Sequence, residues 1–266
     1  MIYCLFLIYE PVALDKSLLR LNRLLTMGGR KAQIIVINNG PQRQHVNREN
    51  VEFIQGDNRC FEFSGWEAGK QYIEKHYCLK SDDTFCFVND TFDKNHYFSW
   101  LTVLLYHRKL KQAVKQYQGF ILGRVDTRNI EYKVDHLPFT EWVSSYFFIV
   151  DYTAYQALVF TNPRLTDAVR EVTDESINFD SSVVDSAMQE HINGWLRPEG
   201  KGWYRAHTSN NEVIKNKSIA ILHEKYLTAT LKAKEIALIH VYRGRFGRLV
   251  RKFDKRIQDY RIAIRG

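Results

Sequence analysis

The chain has 266 residues, 45% of them hydrophobic, with 16 Phe, 15 Tyr and 5 Trp. That is enough to bury a sizeable core and too apolar for a disordered polypeptide, while 5 Pro and 14 Gly exclude a fibrous or linker-rich chain. The net charge of +8 is unevenly placed: residues 232–266 hold 11 Lys/Arg against 3 Asp/Glu, and the other 231 residues balance at 27 of each.

Ile2 to Tyr9 reads as a first strand, because it lacks the basic flank and the small-residue cleavage site of a signal peptide. Leu14, Leu18, Leu21 and Leu25 recur at helical spacing, and Gln33 to Ile37 is a second strand, so the chain opens as a βαβ unit. That strand ends in Asn38-Asn39-Gly40, either a plain turn or amides facing a ligand. Val51 to Ile54 is a short third strand, followed by a helix from about Gly65 to Tyr77 and a fourth strand at Thr84 to Val88. The fourth runs straight into Asn89-Asp90-Thr91, so an apolar strand opens abruptly onto polar groups.

Helical segments around Phe98 to Tyr117 then lead to strands at Gly119 to Gly123 and Ser144 to Val150. Helices are expected near Thr153 to Phe160 and Ser182 to Asn193, and Gly194 to Asn211 reads as a long loop with Trp195, Trp203 and Tyr204 as a platform or an anchor. Alternating strands and helices predict an α/β fold with a doubly wound, mainly parallel sheet, its first ninety residues a Rossmann-like nucleotide-binding half. Ligands bind such sheets outside the carboxyl ends of the strands, here Tyr9, Asn38, Asn39, Asn89 and Asp90. Amides suit base edges and sugar hydroxyls, and a lone carboxylate suits a divalent cation held mostly by a ligand's phosphates.

Cys4, Cys60, Cys78 and Cys86 form no CxxC pair and point to reduced thiols rather than a zinc site. GxGxxG, P-loop, GxSxG and HExxH motifs are all missing, which removes the usual dinucleotide, NTPase, hydrolase and zinc-protease readings.

Three ordered segments carry a resemblance. Asn58-Arg59-Cys60-Phe61-Glu62-Phe63-Ser64-Gly65-Trp66-Glu67-Ala68-Gly69, then Phe87-Val88-Asn89-Asp90-Thr91, then Trp142-Val143-Ser144-Ser145-Tyr146-Phe147 resemble the rhamnan-synthesis protein F family of bacterial GT-A glycosyltransferases. The family pattern reads approximately Asn-x-Gly-x-Asp-Phe-Gly-Ala-Trp, Asn-Asp-Ser and Gln-Ser-Tyr-Phe. This chain has Cys60 for the glycine, Glu62 for the aspartate, Thr91 for the serine and Ser144 for the glutamine.

The resemblance implies a GT-A-like domain over 1–231, with residues 1–92 holding a nucleotide-sugar donor, UDP- or dTDP-linked, and 93–231 the glycan acceptor. It implies Asp90 as ligand of Mn²⁺ or Mg²⁺, or metal-free operation with Arg or Lys neutralising the phosphates. It also makes Asn58, Glu62 and Trp66 donor-site residues alongside the strand-end positions. An inverting transfer needs a carboxylate to take the acceptor's proton. Among Asp126, Glu141, Asp180 and Asp185, placement favours Asp126 and Asp180. His207 and His223 are candidate late metal or phosphate contacts.

In the 232–266 tail, Phe246, Leu249, Val250, Phe253, Ile257, Tyr260 and Ile264 recur at three- and four-residue spacing among basic residues, which predicts a basic amphipathic helix. Residues 245–264 would lie on an anionic membrane surface. No stretch approaches the roughly 20 apolar residues of a spanning helix. A cytoplasmic enzyme peripheral to the inner face of the membrane, acting on a lipid-linked surface glycan, is the expectation. Nucleic-acid binding through the tail and sugar nucleotidyl transfer are the competing readings, and the lack of any nucleic-acid motif disfavours the first.

Overall fold

The computed structural model describes residues 1–9, 14–41, 49–92, 96–197 and 206–265. The chain runs β1 (Ile2–Ile8), α1 (Leu14–Thr26), β2 (Ala32–Asn38), β3 (Val51–Gln55), α2 (Glu62–His76), β4 (Thr84–Asn89), α3 (Trp100–Gln116), β5 (Phe120–Val134) and β6 (Leu137–Asp151). It continues through α4 (Tyr152–Ala157), α5 (Pro163–Asp167), β7 (Val169–Val172), β8 (Ile177–Phe179), α6 (Ser186–Leu196), α7 (Asn211–Ala233), β9 (Ala237–His240) and α8 (Arg245–Arg265).

Among the described residues seven strands form one sheet in the order β3-β2-β1-β4-β6-β5-β9, and β7 and β8 pair as a separate hairpin. The four strands from β3 to β4 are mutually parallel, β6 is antiparallel to both β4 and β5, and β9 is parallel to β5. This is an α/β fold with a mostly parallel central sheet, compatible with a Rossmann-like arrangement. Every residue of β1 and β4 is buried, as strands covered on both faces require. Alternate side chains separate cleanly: Tyr3, Leu5, Leu7, Phe85 and Phe87 pack on one face with Phe63, Trp66 and Ile221 of α2 and α7. Cys4, Phe6, Ile8, Cys86 and Val88 pack on the other with Leu18, Leu21, Leu105 and Val250 of α1, α3 and α8.

The strand predicted from Ser144 is the second half of β6, which pairs with β5 across a two-residue turn at Asp135-His136. Both residues have positive φ, 48° and 67°, as the primed turns matching strand twist demand. The helix predicted from Ser182 begins at Ser186, because Asp185 caps it by accepting the Met188 N–H at 3.0 Å. Residues 198–205 of the predicted long loop, with Trp203 and Tyr204, lie outside the described residues.

The predicted tail differs most. Lys232 lies inside α7, and β9 adds an edge strand beside β5. Val241, Tyr242, Val250 and Asp254 are buried, so the basic segment is built into the domain rather than appended to it. No helix among the described residues is long and apolar enough to cross a membrane.

Candidate active site

The strand order reverses between β1 and β4, and the crevice at such a switch point is where an open α/β sheet takes its ligand. Asp90 marks it: its Oδ2 accepts the Tyr9 backbone N–H at 3.3 Å, holding the ends of β4 and β1 together. Beside it opens a cavity of about 730 Å³ lined from α2 by Glu62, from the end of β4 by Asn89 and Thr91, and from β5 by Arg124, Asp126 and Arg128. All of residues 124–128 of β5 line the cavity, with charged side chains at every second position. Ser144, Ser145 and Tyr146 line it from β6, Lys217, Glu224 and Lys225 from α7, and Arg251 from α8.

The β5–β6 pairing jumps from Gly123↔Phe148 to Val125↔Val143, so Ser144 to Phe147 bulge out of that ladder. Bulges re-aim side chains next to sites, and here the bulge ties three carboxylates together. The Ser144 hydroxyl donates to Asp126 at 2.8 Å, the Ser145 hydroxyl donates to Glu62 at 2.9 Å, and the Ser145 backbone N–H donates to Glu224 at 2.7 Å. Glu62 is delivered by an unusual backbone: Phe61, just before α2, has φ 50°, a genuine outlier for a bulky residue, and such strain clusters at functional sites.

The charges are paired unequally. Arg124 lies 3.1 Å from Asp126. Burial pushes the Asp126 carboxyl up, but the guanidinium and the Ser144 hydroxyl outweigh it and hold it below the usual carboxylate range. Burial likewise opposes the charge of Lys225, which Glu224 supports, and the ammonium sits 3.9 Å from the Trp142 ring centroid. Five cations face three carboxylates around the cavity, so the surplus is positive and suits an anionic ligand.

Three histidines also line it, and burial keeps each of them neutral. His96, stacked on Tyr146 at 3.9 Å, is pulled down to about 4 by burial and by Arg124, with Asp126 opposing. His191 is pulled down to about 4 by burial, Lys225 and Arg128, with Glu224 opposing, and His240 is lowered by burial. In the unfolded chain imidazoles protonate near 6.5, so for His96 and His191 the unfolded state binds more protons between that pH and about 4, and stability falls as pH falls. We expect the urea midpoint to drop as the pH falls from ~7 to ~5. A midpoint that stays flat across that window would refute the neutral assignment. Asp126 and Glu224, both depressed, add their loss only at lower pH.

The structure brings Glu62, Asn89 and Asp126 to the cavity, with Trp195 at its rim. It does not bring the other strand-end amides there. The Asn38 Oδ1 accepts the Gly40 N–H, and the Asn39 Nδ2 donates to the Asn58 Oδ1 and the Phe61 carbonyl, so this cluster shapes the loop that leads to Glu62. Trp66 is fully buried against Phe87, Phe148 and Phe160 and is a core residue rather than a donor contact.

Asp180 also lies away from the cavity. It accepts the Ser182 hydroxyl and N–H and pairs with Arg170, contacts that hold its carboxyl down to about 2. Glu141 pairs with Lys232. Buried His223 bonds the Ile219 carbonyl and accepts the Asn162 N–H, a structural role. His207 is exposed in a short 3₁₀ turn. No protein-family model matches the chain, and no curated protein matches it.

Among the described residues no cluster of three His, Cys, Asp or Glu side chains is placed to hold a metal. Asp90, the expected metal ligand, and Tyr9 are not among the residues lining the cavity, whose carboxylates are Glu62, Asp126 and Glu224. Sequence reasoning missed Arg124, Arg128, Lys217, Glu224, Lys225 and the three histidines. The alternation Arg124-x-Asp126-x-Arg128 was the signal available, and it needed the strand to be extended past Gly123.

Proposed function

We propose that the protein is a GT-A-type glycosyltransferase, resembling the rhamnan-synthesis protein F family. In this reading it moves a sugar from a UDP- or dTDP-linked donor to a hydroxyl of a growing surface glycan. One observation carries the reading. The three segments that bear the resemblance lie far apart in sequence, yet they meet at one cavity through Glu62, through Asn89 and Thr91, and through Ser144, Ser145 and Tyr146. The volume of about 730 Å³ falls within the roughly 300–1,000 Å³ of small-molecule sites.

In the transfer, the acceptor oxygen bonds to the anomeric carbon as the bond from that carbon to the diphosphate oxygen breaks. The hydroxyl proton passes to a carboxylate, and the nucleoside diphosphate leaves with the electron pair. Negative charge grows on that leaving group, and Arg124, Arg128, Lys217 and Arg251 supply fixed positive charge on the cavity wall.

Asp126 has one oxygen on Arg124 and the other on Ser144, so its role is to position the guanidinium. Glu62 receives only the Ser145 hydroxyl, on Oε1, among the described residues, and is the carboxylate left to accept the proton. Calorimetric titration of the full chain with a panel of UDP- and dTDP-sugars, with and without Mn²⁺, tests the reading. We expect at least one donor to bind in the range of about 1 μM to 1 mM, and silence across the panel would sink it.

A further inference from the structure

Helix α8 carries three kinds of surface at once. At about 100° per residue, Val250, Asp254 and Ile257 share the face turned to the domain. The helix is seated there on α3: buried Asp254 accepts the Thr102 hydroxyl in the first turn of α3, next to the capping Ser99. On one flank Arg251 and Lys255 line a chamber of about 340 Å³, and Arg251, with Arg124, His96 and Tyr146, also lines the main cavity. On the other flank Phe246, Leu249, Phe253 and Tyr260 stand 54%, 64%, 47% and 68% exposed. Arg245, Lys252 and Arg256 point outward beside that ridge, and the helix as a whole has eight basic residues against two acidic. The supporting α3 adds exposed Trp100 and Leu104.

We propose that the outer side of α8 seats the protein on an anionic bilayer surface, with the Phe246-Leu249-Phe253-Tyr260 ridge among the acyl chains and the basic residues among the headgroups. The helix is thus at once a membrane-docking element and a wall of the cavity. An apolar ridge flanked by cations is complementary to anionic lipid, where interfacial helices gain from apolar burial and from charge together. A second copy is a poor occupant, because a two-fold contact through the ridge would bring the Arg245, Lys252 and Arg256 cations of the two copies together.

Co-sedimentation of the full chain with vesicles of equimolar phosphatidylglycerol and phosphatidylcholine tests the docking, with pure phosphatidylcholine alongside. The wild type should pellet with the anionic vesicles and release as salt rises. A triple variant, Phe246→Ser, Leu249→Ser and Phe253→Ser, removes the ridge and should bind at least about tenfold more weakly, with a urea melt and circular dichroism checking that it remains folded. Equal binding by variant and wild type overturns the proposal, as does equal binding to pure phosphatidylcholine. So does light scattering that finds a wild-type dimer split to monomers by the three substitutions. Vesicle binding needs no donor, so a chain that docks as described but binds no nucleotide sugar upholds the surface and removes only the transferase reading.

Discussion

Replacing Arg124 by Gln should lower kcat/KM for sugar transfer by about 10²–10³-fold, the usual cost of removing one pre-aimed positive group from a site where anionic charge develops. Arg124 is the best placed cation for that role. It projects from β5 into the cavity, it is fixed by Asp126 at 3.1 Å, and the carboxylate keeps it charged against burial. The same substitution strands Asp126, whose depressed carboxyl depends on that guanidinium, so a stability loss of about 1–3 kcal/mol should accompany it. The two effects separate in a second variant. Arg124→Lys keeps the charge but loses the planar fork, so stability should recover more than turnover. Steady-state kinetics with the donor that binds best, set beside urea melts of both variants, gives the comparison. An Arg124→Gln enzyme within about threefold of wild type would remove this residue from the chemistry.

The parts that could be read from the sequence are those where pattern and environment agree. β1 and β4 are continuous apolar runs, and strands buried on both faces have to be. The leucines of α1 recur at helical spacing because one face meets the sheet. The site was partly legible for a related reason: Asn89 and Thr91 end an apolar strand, where only a ligand or a turn calls for polar groups.

What was hidden lacks a local signal. The Asp135-His136 turn uses two positive-φ residues without glycine, so the β5–β6 hairpin could not be recognised from its turn. Helix α7 buries residues around most of its circumference, from Ile214 to Leu231, so it shows little amphipathic contrast, and its cavity-facing Lys217, Glu224 and Lys225 look like ordinary surface charges. β9 is four residues long and adjoins a strongly basic segment, and the charge masked the strand. Trp66 sits in the densest part of the motif match, and the structure places it on α2 against Phe87 and Phe148, a burial that the motif alone did not reveal.

Glu62→Gln should be the most damaging single change at the carboxylates, lowering kcat by about 10²–10⁴-fold while leaving donor KM close to wild type, because it deletes a proton acceptor and little else. Gln keeps the side-chain length and can still accept from the Ser145 hydroxyl, so the bridge from α2 to β6 at 2.9 Å survives and the fold with it. Asp126→Asn should behave differently. It weakens the hold on Arg124 and removes a negative charge that opposes Arg251 and Arg124, so its main effects should fall on donor KM and on stability. The contrast between the two variants discriminates base from positioning residue in a way that either alone does not. It also makes a prediction about pH: if Glu62 takes the proton, the acidic limb of the kcat profile disappears in Glu62→Gln and persists in Asp126→Asn. The reverse pattern would return the base to Asp126 and leave Glu62 as a contact that orients Ser145. No limb lost in either variant would mean that the proton leaves by another route, with the neutral imidazoles of His96 and His191 at the cavity wall the next acceptors to substitute.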